Sequence, residues 1–214
     1  MFARFNTWRS IMHDPKAFEL HGAIALVTGA GAGIGRAIAE TFAGAGACVT
    51  VTDRDAVAAE RVASAITADG GKAISAACDV TQASHLDAAV TLTVETFGGL
   101  GILVNNAGGG GPKPFEMPME DMRFAFELNM FSVFRLCQLA APHMEANGGG
   151  AILNITSMAG ENKNQRMAAY GASKAAENHL TRNMAFDLGP RKIRVNAIAP
   201  GATRTQALQS VLTP

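Results

Sequence analysis

Cysteine is too scarce and too scattered to staple this chain. Its three copies, Cys48, Cys78 and Cys137, are odd in number and show no C-x-x-C spacing, which argues against a disulfide framework and suits reduced thiols. The five histidines have no zinc-ligand spacing either, so no metal is expected. An excess of one charge is also lacking: 18 basic residues balance 18 acidic ones, and nothing overall draws the chain to nucleic acid or an anionic membrane. No apolar run is long enough to span a bilayer, and "MFARFNTWRSIMHDPKAFELHG" has neither the apolar core nor the cleavage site of a secretory signal. These absences point to a cytoplasmic protein whose partners are a small molecule and further copies of itself. Aromatics are sparse, and the chain holds one tyrosine, Tyr170.

What is present is apolar mass in a regular order. With 48% hydrophobic residues in 214, the chain can bury one sizeable core. Short apolar runs at 23–28, 47–52, 72–78, 101–105, 150–156 and 193–198 alternate with helical patterns at 34–45, 55–69, 82–97, 118–146 and 168–188. That alternation predicts an α/β fold, a doubly wound parallel sheet of the Rossmann type. Residues 1–22 read as an N-terminal extension, with Met12 where a shorter start would fall, and 23–214 as a single dinucleotide-binding catalytic domain. The biased segment "GGGGPKPFEMP" at 108–118 reads as a loop between a strand and a helix.

The first strand runs into "TGAGAGIG", in which Gly29, Gly33 and Gly35 are spaced G-x-x-x-G-x-G. Glycines alone are as common in plain turns. Here the turn follows a strand and opens a helix, so backbone N–H groups and the helix N-terminus would face a pyrophosphate. The next strand ends at Asp53, whose carboxylate would accept ribose hydroxyls and repel a 2′-phosphate, pointing to NAD. Asp53 could instead be a solvated residue near a helix start, and the neighbouring Arg54 could partly accommodate NADP. Asn129, within "FELNMFSVF", and Ser157, in "NITSMAG", each have ordinary readings, as a hydrogen-bonded core amide and a strand-end cap. No G-x-S-x-G elbow surrounds Ser157, which argues against a hydrolase nucleophile. Tyr170 and Lys174 lie one helical turn apart and share a face, and "NITS" ends a strand at the cofactor crevice just before their helix begins.

Taken together, "TGAGAGIG", Asp53, "CDV" at 78–80, "NNAG" at 105–108, Asn129, Ser157, the Y-x-x-x-K of Tyr170 and Lys174, and "NAIAPG" at 196–201 resemble the short-chain dehydrogenase/reductase family over residues 22–214. The resemblance implies a catalytic tetrad of Asn129, Ser157, Tyr170 and Lys174. It implies an NAD site formed by Gly29, Gly33, Ile34, Gly35, Asp53 and Arg54, with Asp79 and Val80 near the adenine. Asn106, Tyr170, Lys174, Thr203 and Thr205 would complete that site, Thr205 beside the nicotinamide carboxamide. Within the family, "NNAGGGGPKPFEMPM", "ITSMAGENKN" and "NMAFDLG" resemble the branch that oxidises the 7α-hydroxyl of bile acids, which implies a substrate site at Gly110, Ser157, Asn162 and Tyr170.

The implied chemistry is hydride transfer from a secondary alcohol. Tyr170 would take the hydroxyl proton while Ser157 holds the oxygen, Lys174 binds the nicotinamide ribose, and Asn129 holds a water in the proton path. A free phenol, with a pKa of ~10, is a poor base near neutrality, and lowering it ~3 units requires ~4 kcal/mol. A unit charge about 4 Å away supplies that at an effective dielectric near 20. A reductase of another carbonyl, such as a 3-oxoacyl thioester, shares every tetrad residue, and a non-catalytic nucleotide-binding module is a further alternative. The family normally continues past "PGATRTQALQSVLTP" into one more strand, so the sheet is expected to lack that last strand. Phe124, Phe131, Phe134, Leu180 and Met184 are expected to pair helices between subunits of a homotetramer.

Overall fold

The computed structural model describes residues 18–205. Most of the 1–22 extension and the end of the 23–214 segment lie outside the described residues. Six parallel strands form one sheet in the order β3-β2-β1-β4-β5-β6: β1 Ile24–Val27, β2 Cys48–Asp53, β3 Lys72–Ala77, β4 Ile102–Asn105, β5 Gly150–Ile155 and β6 Ile193–Ile198. The helices are α1 Gly33–Gly44, α2 Ala56–Ala68, α3 Ala83–Phe97, α4 Met119–Phe126, α5 Ser132–Ala146 and α6 Ala168–Leu188. They fall between successive strands as the hydrophobic pattern predicts, with α4 and α5 together between β4 and β5.

The central strands are mainly apolar because both of their faces are covered. Successive side chains point to opposite faces: Leu26 and Leu103 enter the core built with Leu86 of α3, Leu136 of α5 and Met184 of α6. Val27 and Val104 enter the other, with Ala39 of α1 and Val62 and Ile66 of α2. Register holds this in place, Val27 lying opposite both Val51 and Val104. Strand order reverses between β1 and β4, which opens a crevice at the carboxyl ends of the strands. Among the described residues β6 is an edge strand, and Ile198 at its end is exposed.

Two expectations need correction. The helical run 118–146 is not continuous, because Glu127–Phe131 forms a π-helical turn between α4 and α5. The Ser132 N–H reaches back to Glu127 O, while the Ser132 hydroxyl takes Leu128 O and the Asn129 side chain takes Ala125 O. Side chains thus replace part of the backbone ladder. The expected apolar face also divides: Phe124, Phe131 and Phe134 are exposed, but Met184 is buried and Leu180 packs against the same core. Helical period alone did not separate the outward positions from the inward ones.

Candidate active site

The glycine turn after β1 is tied to the end of β4 by polar contacts that no helix or strand rule supplies. The Thr28 hydroxyl accepts from the Asn106 and Ala107 N–H groups at 3.0 Å and donates to Val104 O. Asn106 Nδ2 donates to both Thr28 O and Gly29 O at 2.9 Å. This closeness requires bare glycines: a Cβ on Gly29, whose φ is +60°, would stand 2.9 Å from Ala107 Cα, and one on Gly35 would overlap the Gly29 carbonyl. Ala32 caps α1 without a side-chain acceptor, so no side chain competes for the helix's first N–H groups. Asp53 faces this turn, its Oδ2 accepting from Gly31 N at 3.0 Å and its Oδ1 from Asp55 N. Asp55, not Asp53, caps α2, accepting from the Val57 and Ala58 N–H groups.

Arg54 is exposed, and its charge acts on Asp79. The Asp79 carboxyl is held below the usual range chiefly by the Thr81 N–H and hydroxyl, with His85 and Arg54 adding to this. The Val80 side chain belongs to the core. Ile34, Thr203 and Thr205 border one shallow groove along α1, and Thr205 Cγ2 lies 3.3 Å from where a Gly33 Cβ would stand.

Ser157 follows β5 and caps a short turn, Met158–Gly160, its Oγ accepting from Ala159 N at 3.1 Å. That hydroxyl keeps its proton to donate. The turn lies hard against α6, since a Cβ on Gly160 would stand 2.8 Å from Ala175 N and from Lys174 C. Ser157 is thereby brought beside the helix carrying Tyr170 and Lys174. From the other side comes the 108–111 loop: a Cβ on Gly110 would stand 2.7 Å from Tyr170 Cδ2, and one on Gly108 would meet Asn129 Oδ1 at 2.9 Å and Lys174 Nζ at 3.1 Å.

Asn129 is fully buried. Its Nδ2 faces Gly109 O, Ala125 O and Ser173 Oγ, and its Oδ1 accepts from Gly109 N. Its amide hydrogens are committed to the protein, so a water in the proton path could meet only an acceptor of this residue. The structure thus brings Asn129, Ser157, Tyr170 and Lys174 to one corner of the crevice.

Lys174 has a partner that the motif did not announce. Its Nζ donates to Ile155 O at 2.9 Å and to Glu177 Oε2 at 2.7 Å, with side-chain exposures of 3% for Lys174 and 0% for Glu177. Burial pushes the Glu177 carboxyl up to about 7 despite the pull of the adjacent ammonium. Neither Glu177 Oε1 nor Asn105 Oδ1 has a protein partner. Asn105 Nδ2 donates to Cys137 Sγ and Asn154 Oδ1, and Asn154 Nδ2 donates to Thr181 Oγ1. The only sequence signal for Glu177 is its i+3 spacing from Lys174, which usually marks a surface pair.

An open cavity of about 550 Å³ adjoins the Ser157 turn, bordered by Asn162, Lys113, Phe115, Lys163 and Arg166. Asn162 is part of its wall, whereas Gly110 packs on the Tyr170 ring. Lys113 pairs with Asp121 at 3.3 Å. Among the described residues, no group of histidine, cysteine and acidic side chains is arranged to hold a metal ion, and no helix is long and apolar enough to cross a membrane.

The short chain dehydrogenase profile matches residues 23–213. A 7α-hydroxysteroid dehydrogenase of Escherichia coli K12 is 58% identical over 203 residues, 95% of this chain and 80% of that protein. A D-threitol dehydrogenase of Mycolicibacterium smegmatis is 37% identical over 190 residues, 88% of this chain and 73% of that one. Among solved structures, a 7α-hydroxysteroid dehydrogenase complexed with NADH and 7-oxo glycochenodeoxycholic acid superposes with a TM-score of 0.93 at 58% identity. The match covers 95% of this chain and 80% of that one.

Proposed function

The chain belongs to the short-chain dehydrogenase family, and from that membership we propose that it oxidises the 7α-hydroxyl of bile acids to the ketone with NAD. The observation that carries this is the 58% identity over 95% of the chain to an enzyme named for that reaction. Relatives near 37% identity act on other alcohols, so family membership by itself would leave the substrate open.

The residues present fit NAD. The cradle at Gly29 and Gly35 is one that a single Cβ would fill, the α1 N-terminus carries no side-chain cap, and Asp53 stands over Gly31. Gly29, Gly33, Ile34 and Gly35 would hold the pyrophosphate, Asp53 the adenosine ribose, Asp79 and Val80 the adenine, and Asn106, Thr203 and Thr205 the far end. The Asp53 carboxylate, beside Gly31, would repel a 2′-phosphate. NAD, when bound, accepts the hydride.

Tyr170 takes the alcohol proton on its phenolate oxygen. Ser157 donates its hydroxyl proton to the substrate oxygen while its own oxygen stays anchored by Ala159 N. Lys174, immobilised by Ile155 O and Glu177, presents a fixed cation to the phenol and to the nicotinamide ribose. Asn129 fixes the Gly109 backbone against α6, and an acceptor of this residue would hold the water that passes the proton on. The cavity beside Asn162, with its cations Lys163 and Arg166 and apolar Phe115, suits an amphipathic acid. Gly110, packed on the Tyr170 ring, would border the ligand there. The exposed Phe124, Phe131 and Phe134 support a homotetramer, and the NAD chemistry and reduced thiols a cytoplasmic site.

Purified protein should reduce NAD with cholic and chenodeoxycholic acids and not with the 7β epimer. Tyr170→Phe should keep NAD affinity and lose nearly all turnover. Equal turnover of both epimers, or turnover of neither, would discard this substrate.

A further inference from the structure

We propose that Glu177 is a positioning residue that sets the net charge beside Tyr170: ionised, it cancels the Lys174 ammonium, and protonated, it leaves that ammonium to act on the phenol alone. The proposal rests on the dehydrogenase reading of the tetrad and adds to it a device that adjusts the base.

The geometry is that of one cation serving two acids. Tyr170, Lys174 and Glu177 stand at i, i+4 and i+7 of α6, so all three lie on one face with the lysine in the middle. Lys174 Nζ is spent on Ile155 O and Glu177 Oε2, and both charged groups are sealed from water. A phenolate at Tyr170 must therefore share the ammonium with a carboxylate already bonded to it.

Among the described residues, Lys174 is the cation that acts on Glu177. From α5 it faces Cys137, whose thiol burial raises to about 12, so that it stays neutral. Cys137 is bonded in turn by the Asn105 amide, which joins Asn154, and Asn154 joins Thr181, whose hydroxyl donates to Glu177 O, so this buried network is uncharged. Glu161 of the Ser157 turn is engaged by Asn178 Nδ2 at 2.7 Å. One carboxylate oxygen of Glu177 has no protein partner, and neither does Asn105 Oδ1 in the same buried layer. A buried anion half satisfied in this way is costly, and a proton relieves it by turning an orphan acceptor into a donor. The Glu177 carboxyl, pushed by burial to about 7, changes state near neutral pH.

Glu177→Gln tests this, because the amide oxygen can still accept from Lys174 Nζ while the charge is gone. Tyr170 is the sole tyrosine, so phenolate absorbance in the near ultraviolet reads one group in the cofactor-free protein. Removing a charge two helical turns away should lower the midpoint by about one pH unit at an effective dielectric near 20. The acidic limb of the kcat/KM profile for oxidation should move the same way, and Glu177→Asp should move it back. An unchanged or raised midpoint in folded Glu177→Gln overturns the proposal. If that variant fails to fold, carbon-13 labelling of glutamate in the wild type decides: a carboxyl titrating near 7 supports the proposal, and completion of every carboxyl titration below about pH 5.5 overturns it. Absence of bile acid turnover would remove the substrate reading and leave the phenolate titration intact.

Discussion

Gly160→Ala should disable catalysis by adding one methyl group outside the tetrad. The glycine does not sit at positive φ, so alanine is compatible with its backbone. The added Cβ, however, would stand 2.8 Å from Ala175 N and Lys174 C, where ordinary contact begins at 3.4 Å. The turn and α6 must part by ~0.6 Å or more, and such overpacking typically costs about 1–3 kcal/mol. Ser157 is the cap of that turn, so it moves with it, away from Tyr170. A misplacement of about 1 Å at a reacting group lowers the rate up to ~100-fold, so a loss in kcat of ~10–100-fold is expected. NAD affinity should fall far less than kcat, because the glycine turn and Asp53 belong to other strands and only the Lys174 end of the cofactor site adjoins the clash. Steady-state kinetics with cholic acid, beside calorimetric NAD binding, reads both quantities. Gly44→Ala, which meets nothing within 4 Å, is the control and should leave kcat unchanged. A folded Gly160→Ala protein with kcat within twofold of wild type would refute the idea that this contact places Ser157.

Asp53→Ala should shrink the preference for NAD over NADP by removing both the ribose acceptor and the partner of Gly31 N; comparable kcat/KM for the two cofactors in the unmutated protein would overturn the assignment. The Glu177 carboxyl is raised in the folded protein from 4.5 to about 7, so its ionisation adds no penalty below the unfolded pKa and destabilises increasingly as pH rises toward the folded one. Between pH 4.5 and 7 the wild type should therefore lose stability relative to Glu177→Gln, by an amount on the order of 3 kcal/mol, and parallel urea midpoints of the two proteins across that range would contradict it. Phe131→Asp with Phe134→Asp, both at exposed positions, should lower the mass measured by light scattering to that of one chain, whereas a monomeric wild type at micromolar concentration would remove the proposed assembly.

The sequence by itself determined the sheet and the order of its elements. Strands buried on both faces must be largely apolar, and helices covering them must show a 3.6-residue period, so Leu26, Val27, Leu103 and Val104 declare their place without any partner being known. Asp53, Ser157, Tyr170 and Lys174 were legible for a related reason, since each sits at or just past the end of a strand or one turn from a motif partner. Tertiary structure alone decided what these groups touch. The π-turn at Asn129 depends on Gly109 and Ser173, 20 and 44 residues away, and no local propensity encodes such a bond. The inward position of Met184, the outward one of Phe131 and the sealing of Glu177 are set by which neighbours cover each helix. A glutamate three residues from a lysine reads the same on a wet helix face as on a dry one. The difference is desolvation, a property of the assembled fold, and it turns an ordinary surface pair into a buried acid bonded to Lys174.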